Sequence, residues 1–260
     1  MPHDKTDPGT FSCRWRIGND IVDLKAPAAR GRGTDLRFMK KILADGEIRS
    51  VQESKNPDAL LWGFWAAKET AFKVRAKIDP ESIFSPRRFQ VVLYFLHFRK
   101  PSSFLPGRVD TPGGPVAVRI FFDDDHVRCI GAATDTGEAA DPDRVLHGWG
   151  AIGEAKDLSP QSHRESVAAR HMAIRHIARF TGRNAGEMTI ARRQNDFGAS
   201  PPVLYYRGEA APVDISLSHD ERFAAYAFMP QNRSIANAGN IAAAGALSEK
   251  TQQHNGSDIL

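Results

Sequence analysis

Residues 57–77 constrain this chain more than any other stretch, because they read as one long helix whose apolar surface carries charges that need a role. Asn56 can cap the first turn, Pro57 is tolerated at the first helical position, and Asp79-Pro80 closes the segment. Inside it runs Trp65-Ala66-Ala67-Lys68-Glu69-Thr70-Ala71-Phe72-Lys73. Residues four apart share a helix face, so Glu69 and Lys73 project together, while Leu61, Trp65, Lys68 and Phe72 follow a neighbouring stripe. A solvated Glu/Lys pair adds only about 0.3–0.5 kcal/mol to a helix. By itself, therefore, the pair reads as ordinary surface.

Two distant segments change that reading. Upstream, Ile17-Gly18-Asn19-Asp20-Ile21-Val22-Asp23-Leu24 is a short apolar strand with an acid two residues past a glycine. Downstream, Asp214-Ile215-Ser216-Leu217-Ser218-His219-Asp220 alternates like a half-buried strand and ends in a hydroxyl, an imidazole and an acid. A lone histidine at a strand end is more often a satisfied structural group, so each segment is weak until the three are taken together.

Together and in this order, the three segments resemble the 4'-phosphopantetheinyl transferase superfamily, with its G-x-D strand, W/F-x-x-K-E-x-x-x-K helix and S-x-S-H strand end. The resemblance covers about residues 14–77 and 162–228. It implies an α+β fold of two similar lobes, each an antiparallel sheet packed on a long helix and related by a pseudo-twofold axis. It also implies transfer of 4'-phosphopantetheine from coenzyme A to a serine of an acyl or peptidyl carrier protein, with release of 3',5'-ADP. By the same resemblance Asp20 and Glu69 hold Mg²⁺, Lys73 neutralises the diphosphate, and Lys68 is a phosphate contact or a structural partner. Ser218 and His219 hold phosphates of coenzyme A, and Glu69 takes the serine proton directly or through a bound water. Two oxygen ligands suit Mg²⁺, which usually takes one or two carboxylates besides phosphate and water.

The chain departs from the family at two points. Where the longer branch has a further acid, this chain has Val22; Asp23 falls on the other strand face. Where that branch has G-K-P, the chain reads Gly198-Ala199-Ser200-Pro201-Pro202, so the lysine is missing. Arg170, Arg175, Arg192 and Arg193 are candidate replacements, with Arg175 preferred. The half carrying S-x-S-H follows the half carrying G-x-D, as though the lobes of the longer branch were swapped; a monomer is expected, and a short-branch subunit with a large insertion, acting as an oligomer, is the alternative.

Organisation follows from local pattern. A flexible N-terminus (1–11), a first lobe (12–150), a second lobe (151–230) and a disordered tail (231–260) are expected. Strands are predicted at 14–24, 89–98, 116–122, 126–133, 187–192 and as a pair over 213–228, with helical pattern in 35–50. The Pro-, Ser- and Gly-rich stretch 100–114 reads as a loop, Ser162-His163-Arg164-Glu165 as a capping box, and Asp123-Asp124-Asp125 as a solvated turn rather than a metal site.

Composition excludes several classes. The 260 residues, 41% hydrophobic, can bury a real core. Cys13 and Cys129 allow at most one bridge, and a free reduced pair is expected with no export signal legible in the first ten residues. The longest apolar run, 91–98, is far too short for a membrane helix; a cytoplasmic protein is expected. A net charge of +4 suits an acidic partner, yet no zinc spacing, RNA-binding aromatic signature or basic block supports nucleic acid. A catalytically degenerate relative that binds coenzyme A or a carrier protein is the alternative function.

Overall fold

The computed structural model describes residues 14–94, 104–153, 161–192, 194–195 and 198–231. The fold is α+β, built from antiparallel sheets and, among the described residues, four α-helices. The first sheet has the order β1-β5-β4-β3-β2, from β1 (Trp15–Asp23), β2 (Gln90–Leu93), β3 (Phe104–Asp110), β4 (Val116–Phe122) and β5 (His126–Thr134).

Across one face of this sheet lies α3 (Pro57–Ile78), packed on β1, β5 and β4. Asn56 caps it by accepting from the Ala59 amide, as the sequence predicts. Ala66, Ala67 and Ala71 are fully buried, and these small side chains bring the helix backbone close to the strands. On its other flank Trp62, Trp65 and Phe72 join Phe38, Phe84 and Phe89 in a chain of tilted and edge-on ring contacts 5.0–6.4 Å apart. The helical pattern of 35–50 resolves into two helices, α1 (Leu36–Ile42), capped by Asp35, and α2 (Asp45–Glu53).

A second sheet, β12-β13-β6, is made by β6 (Leu146–Ala151), β12 (Val213–Asp220) and β13 (Phe223–Pro230). On it packs α4 (Gln161–Thr181) through Ala169, Ala173 and Ile177. A small sheet of β7 (Met188–Ala191), β10 (Val203–Tyr206) and β11 (Glu209–Ala210), with the two-residue pair β8 (Gln194–Asn195) and β9 (Gly198–Ala199), completes the order.

Three expectations need correction. Residues 104–110, predicted as part of a loop, form β3 inside the first sheet. Pro106 and Gly107 disguise it, yet the Pro106 carbonyl still accepts from the Tyr94 amide and the proline sits near the strand start. Residues 146–151, where the two expected lobes adjoin, form β6, which pairs with β13 of the second sheet. The helix α4 starts by Gln161, ahead of the expected Ser162 cap, and the Glu165 carboxylate turns to His219. The expected strand at 95–98, Cys13 and the tail beyond residue 231 lie outside the described residues. Cys129 is buried and free. No helix among the described residues is long and apolar enough to cross a membrane.

Candidate functional site

The two sheets meet where β1 runs beside β12. They are joined there by side chains: the Ile17 amide donates to Asp214 Oδ2 at 2.7 Å, the Asn19 amide to Ser216 Oγ at 3.1 Å and the Asp23 amide to Asp220 Oδ2 at 2.8 Å. The partners advance together along both strands, so β1 and β12 run in the same direction. The Asp214-x-Ser216-x-Ser218-x-Asp220 alternation thus supplies acceptors to the β1 edge that β5 leaves open, where an unpaired amide would be costly. Asn19 Nδ2 adds a bond to Ser218 Oγ at 2.9 Å.

Helix α3 seals the same seam with two lysines one turn apart. Lys77 Nζ reaches the Ile17 carbonyl (2.7 Å), the Ile215 carbonyl (2.8 Å) and Asp214 Oδ2 (3.0 Å). Burial lowers its pKa, and Asp214 opposes that shift. Lys73 Nζ reaches Asp20 Oδ1 at 2.8 Å and the Asn19 carbonyl at 2.9 Å. Gly18 makes this approach possible, since a Cβ there would lie 2.2 Å from the Thr70 carbonyl oxygen.

A cleft of about 180 Å³ opens at the seam. Asp20 and Lys73 line it from β1 and α3, Ser218 and His219 from β12, Ser166 and Arg170 from α4, and Arg192 from just after β7. Cations thus surround one lining carboxylate. Burial raises the Asp20 pKa against the pull of Lys73. Glu69, one helical turn before Lys73, is pushed up to about 7 by burial and then by the nearby charge of Asp20, with Lys73 opposing. Glu69 has no hydrogen-bonding partner among the described residues.

The structure therefore brings together Asp20, Lys73, Ser218 and His219 on one cleft, with Glu69 near enough to Asp20 to feel its charge. Lys68 and Arg175 are placed elsewhere. Lys68 is fully buried, and its ammonium donates to Glu47 Oε2 at 2.7 Å, the Phe89 carbonyl at 2.7 Å and the Pro86 carbonyl at 3.0 Å. All three of its donors are taken, which gives it the structural role and leaves none for a phosphate. Burial lowers its pKa, and Glu47 opposes that shift.

Arg175 is exposed on α4 and does not line the cleft; Arg170 and Arg192 do. Arg170 is oriented by the Ser166 carbonyl (2.9 Å), the Ser166 hydroxyl and the Ile190 carbonyl (3.2 Å). Arg193 lies outside the described residues. Asp23 is bound to Arg222 at 2.6 and 2.7 Å, consistent with its place off the site face. Sequence reasoning missed Glu165, Asn19 and Lys77 as site residues, although the four-residue step from Lys73 to Lys77 put both lysines on one face of α3.

Among the described residues no cluster of three or more His, Cys, Asp and Glu side chains is arranged to hold a metal. Asp20 and Glu69 are oxygen donors of the kind a hard cation takes. Asp20 is buried and Glu69 half-buried, the two are close enough to repel, and an octahedral ion that keeps several waters asks for no more than two carboxylates from the protein.

Residues 16–96 match the 4'-phosphopantetheinyl transferase superfamily. That stretch contains Gly18, Asp20, Glu69 and Lys73, whereas the Ser218-His219 wall and α4 fall outside the superfamily match. No curated protein matches the chain.

Proposed function

We propose that this chain transfers 4'-phosphopantetheine from coenzyme A to a serine of a carrier protein. The observation that carries the reading is the convergence of Asp20 and Lys73 with Ser218 and His219, from the far half of the chain, on a single cleft rich in cations. Both strands of the seam come from one chain, which supports a monomer whose two halves, each a long helix on an antiparallel sheet, are related by a pseudo-twofold axis.

Asp20 and Glu69 would hold Mg²⁺, which when bound supplies Lewis-acid neutralisation of diphosphate charge. Lys73 brings a fixed positive charge beside Asp20, and the cleft lets it meet a diphosphate oxygen without leaving the seam. Arg170 and Arg192 stand in for the missing lysine of the G-K-P segment, and Ser218 and His219 complete the anion wall. Glu69 serves as the proton acceptor for the incoming serine, directly or through a bound water, since a hydroxyl needs a base to become a competent nucleophile. The serine oxygen then bonds to phosphorus as the bond to 3',5'-ADP breaks.

The test is incubation with an apo carrier protein, coenzyme A and Mg²⁺, read as a mass increase on the carrier serine. Asp20→Asn and Glu69→Gln are each expected to lower the rate at least about 100-fold with unchanged melting. Wild-type turnover by either variant removes that carboxylate from the site. Coenzyme A binding without any transfer by the wild-type chain would identify a degenerate relative instead.

A further inference from the structure

His219 reaches the cleft from the end of β12 while its Nδ1 lies 2.8 Å from Glu165 Oε2 on α4. Glu165 is only 8% exposed, and a carboxylate so enclosed is retained at a cost unless it is paired. An ionised carboxylate only accepts, so Nδ1 must carry the hydrogen. Nδ1 and Nε2 sit on opposite sides of the imidazole. With Nδ1 tied back to α4, Nε2 is therefore the atom offered to the cleft that Asp20 also lines. The next residue of α4, Ser166, orients Arg170 through its carbonyl and hydroxyl. One turn of α4 thus aims two of the side chains that line the cleft.

We propose that Glu165 is a positioning residue for the anion wall, fixing the His219 ring so that Nε2 meets a phosphate of coenzyme A. The inference rests on the functional reading above and adds a residue outside the superfamily match. Glu165 itself touches no ligand; it acts through His219.

The experiment compares Glu165→Gln with Glu165→Met, side chains of similar length of which only glutamine can still accept from Nδ1. Calorimetric titration with 3',5'-ADP and with coenzyme A, in Mg²⁺, is expected to give affinity within about twofold of wild type for Glu165→Gln and about tenfold weaker for Glu165→Met. Wild-type affinity in Glu165→Met, or equal losses in both variants, overturns the proposal. Should Glu165→Met fail to fold, ¹⁵N spectra of the wild-type imidazole decide: a hydrogen on Nδ1 and a shift at Nε2 on adding 3',5'-ADP support it, and an unmoved Nε2 overturns it. A wild-type chain that binds coenzyme A, loses affinity in Glu165→Met, yet never modifies a carrier overturns the functional reading and supports this one. Transfer by the wild type with undiminished affinity in Glu165→Met overturns this one alone, and a chain that binds neither ligand overturns both.

Discussion

Gly18 carries more of the site than its lack of a side chain suggests. It faces α3, and the 2.2 Å that would separate a Cβ from the Thr70 carbonyl oxygen leaves no room for alanine without moving the helix from the strand. The contact a movable side chain would relieve is here with backbone. Two residues along β1 on the same face, Asp20 meets Lys73 at 2.8 Å. The G-x-D pattern is therefore a spacing rule: the glycine sets the helix-to-strand distance and the acid uses it. Gly18→Ala is expected to cost about 3 kcal/mol of stability by overpacking and to lower transfer further than stability alone explains. Urea unfolding and turnover measured on the same preparation check this. A variant within about 0.5 kcal/mol of wild type with full turnover would show the approach is not tight.

At the scale of the element, α3 divides its charges by face. Glu69 and Lys73 look toward β1, whereas Lys68 lies with Leu61, Trp65 and Phe72 on the stripe that packs under residues 84–91. Its ammonium ends at Glu47, whose carboxylate also accepts from the amides of Ala44 and Val91, both at 2.7 Å. The pair pins α2, α3 and the start of β2 together. Removing one member strands the other in a dry site, so Lys68→Met is expected to cost about 3–5 kcal/mol. Adding Glu47→Gln recovers part of it, since no bare carboxylate remains. Below its melting temperature, Lys68→Met should keep its coenzyme A affinity. A large loss of affinity with unchanged stability would instead return Lys68 to the phosphate site.

For the whole molecule, the decisive feature is that two sheets are joined by side chains rather than by a continuous ladder. The seam needs polar groups inside the protein, and it ties folding to pH elsewhere along the same junction. His147 on β6 is held well below the usual imidazole range, at about 4, by burial, by the charge of Arg128, whose Nη1 lies 3.4 Å from Nδ1, and by His176. The depressed folded-state value means that between pH 6.5 and 4 the unfolded chain takes up a proton that the folded chain refuses. The contribution of neutral His147 is thus complete above about pH 6.5 and shrinks as pH falls toward 4, by at most about 3 kcal/mol. Urea unfolding of wild type and His147→Gln at pH 7 and pH 4.5 reads this directly: the wild type should lose more stability on acidification than the variant. Equal losses would mean the ring titrates normally in the folded protein.

Local pattern fixed what local forces control. Asn56-Pro57 and Asp79-Pro80 bracket α3 because capping and the proline ring act within one turn, and β4, β5, β12 and β13 follow from alternation and branched side chains. The same pattern failed at β3, where Pro106 and Gly107 argue for a loop and pairing with both β2 and β4 prevails, and at β6, which has a partner only after β13 has folded against it. Asp20, Glu69, Lys73, Ser218 and His219 were legible as residue types in order. Which arginine faces the cleft and that Glu165 holds His219 were not, because each depends on how α4 sits on the second sheet and how β12 meets β1; that Lys68 turns away was not either, because it depends on where Glu47 and the carbonyls of Pro86 and Phe89 come to lie. Those contacts join residues from 18 to 199 positions apart, and no short-range preference of the chain encodes them.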